Sequence, residues 1–253
     1  MNYRHVTFAV AFICGTAAPA WAEPRAVIEL FTSQGCSSCP AADKLLGDLS
    51  RDPSLVTMSL AVDYWDYLGW KDTLALHGHS VRQRAYAEAR GDREVYTPQV
   101  VINGIVHVLG SDKAAIEKAI AQTRRNPAVL ALPVVMTIAD GKVTVSVPGG
   151  MGEHRTGEVW LCPVTSKISV DIGRGENHDR TLTYHNVVRR WLKLGDWNGT
   201  AETFSVPLNE LPKSGYTLND IDRLDVVVQS GQAAKPGLIL GTASTVCCSA
   251  STN

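Results

Sequence analysis

The strongest constraint on the fold is a pair of cysteines placed between a strand and a helix. The segment Cys36–Pro40 follows the apolar run Val27–Phe31 and precedes Ala41–Leu49, in which leucines recur at helical spacing. A sulfur at the start of a helix faces unpaired backbone N–H groups and the positive end of the helix dipole, which favour thiolate over thiol. The spacing therefore predicts a reactive Cys36 and a resolving Cys39.

The cysteine pair is also compatible with an inert structural disulfide or with half of a metal site. A zinc ribbon needs a second pair at similar spacing, which Cys162 and the adjacent Cys247 and Cys248 do not provide. Pro40 favours the helical setting, because a proline in the first turn sacrifices no intrahelical hydrogen bond.

The first 22 residues differ in kind from the rest of the chain. Arg4 precedes an apolar run, Val6–Cys14, and alanines flank Trp21 at the end of the segment. This pattern is typical of a secretory signal peptide over residues 1–22, with cleavage near Ala22. We therefore expect an exported protein, either periplasmic or secreted.

Composition excludes several classes of protein. The chain has 253 residues, of which 45% are hydrophobic, and a formal net charge of −1, values that are ordinary for a globular protein. Beyond the signal peptide, no apolar stretch approaches the ~18 residues that a membrane span needs, and no basic block indicates nucleic-acid binding. We therefore expect no membrane span and no nucleic-acid partner.

Three cysteines outside the pair are candidates for structural disulfides: Cys162, Cys247 and Cys248. A bond from Cys162 to Cys247 or Cys248 would tie the C-terminal tail to the second half of the chain. A vicinal bond between Cys247 and Cys248 is the second alternative. In the third, a mobile tail carries this dithiol to the Cys36–Cys39 disulfide and exchanges with it.

The chain divides into two halves with different periodicity. From Ala26 to Arg125, short β-rich runs alternate with helical stretches in the order β-α-β-α-β-β-α, which is typical of an α/β fold with a mixed sheet. After residue 127 the apolar residues alternate with period two, and clusters of Gly, Asn, Asp and Pro separate the runs. We interpret residues 128–250 as an antiparallel β-sandwich domain.

The segment Thr97-Pro98 comes directly before the β-rich run Gln99–Ile102. It resembles the cis-proline motif of the glutaredoxin and thioredoxin families, in which the residue before the strand presents its backbone to the substrate beside the two cysteines. Proline is the residue for which a cis bond costs least. The resemblance implies a thioredoxin-like (glutaredoxin-like) domain over residues 24–126, with Thr97 and Pro98 in its substrate-binding site.

Two further segments extend the resemblance. Gly110, Ser111 and Asp112 lie at a predicted helix start and resemble the glutaredoxin segment that holds the carboxylate end of glutathione, a role suited to helix N-termini. Nearly the whole chain, including Phe31–Pro40 and Val62–Asp72, also resembles a bacterial family of secreted thioredoxin-like proteins, the domain of unknown function 1223. That second resemblance implies a compartment and a fold but no reaction.

The strand before the cysteines resembles glutaredoxins more than thioredoxins. Leu30 stands where thioredoxins carry a buried aspartate, so the proton-transfer role of that aspartate cannot be carried over. Glu29 is adjacent, but we expect it to face the other side of the sheet, because side chains alternate along a strand. Gly35 replaces the tryptophan that thioredoxins carry just before the first cysteine.

Two segments outside these motifs have more than one interpretation. Four aromatic residues lie within Asp63–Asp72, after the second predicted strand, where open α/β sheets bind ligands. Trp65 is our candidate for contacting a substrate; a packed loop that seats the next helix is the alternative. We interpret Arg174–His178 as a solvated surface, with a patch facing the cysteine pair as the alternative.

The residues favour thiol–disulfide exchange on a protein or a small, glutathione-like thiol, with Cys36 attacking and Cys39 resolving. That chemistry requires no diffusible cofactor and no metal. In the alternative, the same fold serves for binding: copper or zinc held by the cysteine pair with His77 and His79, or a partner held by the second half of the chain. Ser37-Ser38 offers no cationic side chain, so the sequence does not distinguish an oxidant from a reductant or an isomerase.

Overall fold

The computed structural model describes residues 24–150, 156–213 and 215–247. The predicted signal peptide, residues 1–22, lies outside the described residues. In the first half, strands and helices follow one another in the predicted order. They are β1 Ala26–Thr32, α1 Cys39–Leu49, β2 Leu55–Ala61, α2 His77–Arg90, β3 Gln99–Ile102, β4 Val106–Leu109 and α3 Lys113–Thr123.

The second half is built from strands and two short 3-10 turns within the described ranges. The strands are β5 Val135–Ala139, β6 Lys142–Val147, β7 Gly157–Ile172, β8 Arg180–Val188, β9 Leu192–Trp197, β10 Glu202–Pro207, β11 Arg223–Gln232 and β12 Lys235–Val246. None of the helices in the described part of the chain is long and apolar enough to cross a membrane.

One mixed sheet runs through both halves of the chain. Its strand order is β12-β11-β7-β8-β2-β1-β3-β4, and β9 also pairs with β7. β1 is parallel to β2 and antiparallel to β3, and β8 joins β2 in parallel at Val187 and Ser59. Strands from the two sides of residue 127 therefore share one sheet. The division into domains 24–126 and 128–250 stays a prediction.

A second, antiparallel sheet has the order β10-β6-β5. Along β6, Val143, Val145 and Val147 alternate towards the interior and belong to the same buried cluster as Val159 of β7 and Val226 of β11. This alternation is the period-two pattern of a strand with one buried face. The α/β class, with a mixed sheet and a second antiparallel sheet, is thus confirmed.

Helices cover both faces of the sheet around β1, and every residue of β1 is buried. Leu30 belongs to a buried cluster with Leu46 of α1 and Ile116 of α3. Phe31, on the opposite face, packs with Tyr86 of α2. A strand buried on both faces has an almost continuous apolar sequence. It provides a rigid base for the cysteine segment that follows it.

Candidate functional site

Cys36 and Cys39 form a disulfide at the start of α1. After β1 the chain turns, so that the Cys36 N–H donates to the Ser33 carbonyl and the Cys39 N–H donates to the Cys36 carbonyl, both at 3.2 Å. The two Cα atoms lie 5.4 Å apart, a usual separation for a disulfide. Pro40 lies in the first turn of the helix, as predicted.

The disulfide is shielded from solvent. Cys36 is 1% exposed and Cys39 is 0% exposed, whereas Ser37 and Ser38 between them are exposed. The Ser38 hydroxyl lies 3.4 Å from the Cys36 sulfur. After reduction, this hydroxyl can donate to a Cys36 thiolate, and a hydrogen bond to the charged form lowers the pKa of a thiol.

The connection between β7 and β8, residues 173–179, lies against the cysteine segment, and we call it the hairpin tip. The Asn177 amide donates hydrogen bonds to the Gln34 and Cys36 carbonyls, each at 2.9 Å. The Glu176 carboxylate accepts the Ser37 N–H at 3.1 Å. Asn177 is completely buried. The predicted solvated surface is therefore wrong at Asn177, and this part of the segment faces the cysteine pair instead.

The Thr97–Pro98 peptide bond is cis, as the resemblance implies, and it lies near α1. The Pro98 carbonyl accepts the Gly110 N–H at 2.9 Å. A Cβ atom on Gly110 would lie 3.1 Å from the Pro98 Cβ and 3.2 Å from the Ala42 Cβ. Gly110 therefore allows Pro98 to pack closely against the helix that begins at Cys39.

Trp65 connects the cysteine segment to the cis-proline. Its indole N–H donates to the Thr97 hydroxyl at 2.8 Å. A Cβ atom on Gly35 would lie 3.1 Å from the Trp65 Cβ, so a larger residue there would crowd the tryptophan. Tyr67 stacks on Trp65 with ring centroids 6.5 Å apart and is 78% exposed. Trp65 thus lies at the site, and its contact with a substrate stays a prediction.

Asp72 and Gln34 hold the turn before Cys36, and the sequence analysis assigned a role to neither. The Asp72 carboxylate accepts the Gln34 N–H at 2.7 Å, and burial raises the pKa of Asp72. The Gln34 side chain accepts the Trp70 indole N–H at 2.8 Å. Trp70 in turn packs on Gly173 of the hairpin tip. The segment 63–72 therefore supports both the cysteine turn and the hairpin tip.

A family model described as Protein of unknown function (DUF1223) matches residues 27–228. The chain belongs to this family. It is also similar to a protein from Agrobacterium tumefaciens, known from an X-ray crystal structure, with 30% sequence identity and a TM-score of 0.74 over 91% of this chain and 96% of that one. No curated protein matches the chain. The DUF1223 resemblance inferred from the sequence is thus confirmed.

In this DUF1223 chain, Ser111 and Asp112 are exposed at the start of α3. The Asp112 carboxylate accepts the Ala115 N–H at 2.9 Å and so caps the helix. A second carboxylate at this helix start would meet the negative charge of Asp112. Binding of a glutathione carboxylate by this segment stays a prediction.

The ligands of the metal-binding alternative, the cysteine pair with His77 and His79, do not form one cluster in the described part of the structure. His77 pairs with Asp63 through Nδ1 and Oδ2 at 2.8 Å. His79 is buried with Nδ1 at 2.9 Å from the Ala61 carbonyl oxygen, and burial lowers its pKa to about 4. Within the described residues, no three His, Cys, Asp or Glu side chains are grouped to hold a metal ion. Both histidines are in α2, which packs on the opposite face of the sheet from α1.

The cysteines of the second half also differ from expectation. Cys162 is a buried free thiol, and burial raises its pKa well above the usual range. Cys247 is disulfide-bonded, and Cys248 lies outside the described residues. The predicted bond from Cys162 to the tail is therefore wrong. Cys162 belongs to the buried cluster that contains Tyr86 of α2, whereas Cys247 belongs to the cluster of the second sheet, on the other side.

Proposed function

We propose that this chain is an exported thiol–disulfide oxidoreductase that acts through Cys36 and Cys39 on a protein or a small thiol. The observation that carries the proposal is the disulfide at the start of α1 together with the cis Thr97–Pro98 peptide, which packs near the same helix. In the glutaredoxin and thioredoxin families that this segment resembles, the residue before the proline presents its backbone to the substrate, a role that a purely structural disulfide would not require. No diffusible cofactor enters the chemistry.

The element order and pairing support a thioredoxin-like first half. β1 is parallel to β2, β3 and β4 follow as an antiparallel hairpin, and helices cover both faces. The second sheet, packed over β7 and β11, supports a sandwich-like second half. The hairpin tip of that half contributes Glu176 and Asn177 to the surroundings of the cysteines.

The exchange reaction proceeds through a mixed disulfide. A substrate thiolate attacks the Cys36 sulfur, the Cys36–Cys39 bond breaks, and Cys39 leaves with the electron pair and then takes up a proton. A second substrate thiolate attacks the substrate sulfur of the mixed disulfide, which releases Cys36 as a thiolate and the substrate as a disulfide. The substrate is oxidised and the cysteine pair is reduced. Reduction of a substrate disulfide is the same sequence in reverse.

Cys36 is 1% exposed, and the hairpin tip is hydrogen-bonded to the backbone around it, so we infer that a substrate reaches the sulfur after the tip moves away. The contacts that must break are the Asn177 hydrogen bonds to the Gln34 and Cys36 carbonyls and the Glu176 bond to the Ser37 N–H. We infer that the second half of the chain controls access to the disulfide. This gives the second half a role that a free-standing binding domain would not have.

The test is a redox titration of the Cys36–Cys39 pair against glutathione, with variants. We expect a reversible transition between about −120 and −270 mV, the span of known exchange proteins. Cys39→Ser should trap mixed disulfides and Cys36→Ser should abolish insulin reduction. Cys162→Ser, which alters a buried free thiol, is the control. It should leave the redox transition and insulin reduction unchanged. A pair that stays oxidised below about −300 mV would indicate a structural disulfide and a function in binding.

A further inference from the structure

Asp43 is a buried carboxyl group of α1 that the exchange reaction described above does not use. Its side chain is 4% exposed, and neither carboxylate oxygen has a hydrogen-bond partner among the described residues. The Thr32 hydroxyl lies near it and opposes the rise of its pKa, but no hydrogen bond of normal geometry joins the two. A buried polar group without a partner costs about 1–3 kcal/mol, so its presence calls for an explanation.

The helix directs this carboxyl group towards the disulfide. Asp43 follows Cys39 by four residues, and both are on the buried face of α1. Residues at this spacing are neighbours, with Cβ atoms about 5–6 Å apart. Helical side chains also tilt towards the N-terminus of the helix, over the preceding turn. The Asp43 carboxyl group is therefore placed over the turn that contains Cys39.

The environment of Asp43 favours a carboxyl group that can gain or lose a proton near neutral pH. Burial raises the pKa of Asp43 to about 8, and the negative charge of Asp72 adds to this rise. Tyr184 of β8 also lies near Asp43. Its hydroxyl has no hydrogen-bond partner among the described residues, and burial together with the Asp43 charge raises its pKa. A cleft of about 330 Å³ between α1 and β8, lined by Pro40, Asp43, Arg180 and His185 among others, opens beside the same group. Asp43 thus lines a cleft that opens to solvent, while its own carboxylate oxygens are buried.

The other buried carboxyl groups near the cysteine segment are occupied. Glu29 faces α2, where it accepts the Arg82 guanidinium at 2.6 Å and the Tyr86 hydroxyl at 2.5 Å; its predicted orientation away from the cysteines is confirmed. Asp72 accepts the backbone N–H groups of Gln34 at 2.7 Å and Leu74 at 2.8 Å. Neither group has the uncommitted oxygens that Asp43 has.

We propose that Asp43 exchanges the proton of Cys39 during disulfide exchange, an inference that rests on the proposed function. When a substrate thiolate attacks Cys36, Cys39 leaves as a thiolate, and the Asp43 carboxylic acid donates its proton to give a Cys39 thiol and an Asp43 carboxylate. In the reverse direction the carboxylate takes the proton from Cys39. The resulting thiolate attacks the Cys36 sulfur of the mixed disulfide, and the substrate leaves as a thiolate.

The test compares Asp43→Asn with Asp48→Asn, which alters an exposed carboxylate of the same helix that pairs with Lys44. The reduced full-length protein is mixed with an aromatic disulfide, and the release of the second aromatic thiol, which reports attack by Cys39, is followed from pH 5 to 10. We expect Asp43→Asn to slow this step about 100-fold at pH 7. We also expect its rate to keep rising to a higher pH than in the wild type. Asp48→Asn should match the wild type.

Several outcomes overturn the inference. If Asp43→Asn has the rate and pH profile of the wild type, Asp43 has only a structural role. If Asp43→Asn does not fold, Asp43→Glu carries the test, because an acid displaced by one methylene should shift the pH midpoint, and an unchanged profile would refute the proposal. A wild-type protein that forms no mixed disulfide refutes the proposed function itself, which the redox titration detects separately, and the role of Asp43 falls with it.

Discussion

Asn177→Ala should weaken the contact between the hairpin tip and the cysteine segment. The buried amide donates to the Gln34 and Cys36 carbonyls, each at 2.9 Å. Alanine leaves the Gln34 carbonyl without this donor, whereas the Cys36 carbonyl keeps the Cys39 N–H. An unsatisfied buried group costs about 1–3 kcal/mol and a lost hydrogen bond about 1 kcal/mol. We therefore expect the free energy of unfolding to fall by about 2–4 kcal/mol, measured by urea denaturation of the oxidised protein.

The same substitution should make the disulfide easier to reduce. Cys36 is 1% exposed, and if the hairpin tip controls access as proposed, a thiol reaches the sulfur after the tip opens. Each ~1.4 kcal/mol changes an equilibrium tenfold. If about 2 kcal/mol of the loss acts on opening of the tip, reduction by dithiothreitol should become roughly 30-fold faster. Stopped-flow tryptophan fluorescence measures this rate, because Trp65 and Trp70 border the site.

Thr242→Val is the matched control. It removes one donor, the Thr242 hydroxyl at 2.7 Å from the Val226 carbonyl oxygen, in β12 at the far edge of the sheet. Its stability should fall by about 1 kcal/mol, with the reduction rate unchanged. A wild-type reduction rate in Asn177→Ala, despite lost stability, would refute the role of the hairpin tip in access. Unchanged stability would refute the energetic argument.

Two further predictions concern packing and pH. Gly110→Ala places a methyl group 2.8 Å from Leu30 Cδ1 and 3.1 Å from the Pro98 Cβ, which should cost about 1–3 kcal/mol of unfolding free energy. Gly78→Ala, where nothing lies within 4 Å, should cost nothing. Equal effects of the two substitutions would contradict the packing argument. His79 has a pKa of about 4 when folded and 6.5 ordinarily, so its neutral form is favoured by folding. The contribution of neutral His79 to the free energy of unfolding is fully present above pH 6.5. It falls by about 3 kcal/mol as the pH drops towards 4. We measure the free energy of unfolding by urea denaturation across this pH range. In His79→Gln it should fall by about 3 kcal/mol less than in the wild type. The same pH dependence in both proteins would contradict this prediction.

The local structure of the candidate site was predictable from sequence because short-range interactions decide it. The apolar-rich run Val27–Phe31, the cysteine spacing and Pro40 together specify a strand, a turn and a helix start within fifteen residues of chain. The helix start at Asp112 depends equally on near neighbours, since its carboxylate accepts an N–H group only three residues away. The alternation of Glu29 and Leu30 also follows from strand geometry alone.

Which distant segments meet at the site was decided by the tertiary structure alone. Asn177 contacts the Cys36 carbonyl across 141 residues of chain, and this contact depends on β8 joining β2 at Val187 and Ser59. Strand periodicity indicates which residues share a face, but it does not indicate which element covers that face. The same limit explains the wrong prediction of a disulfide for Cys162. The sequence does not indicate that Cys162 lies on the α2 side of the sheet and Cys247 on the other side. Likewise the burial that raises the pKa of Asp43 comes from elements packed around α1, which no local pattern specifies.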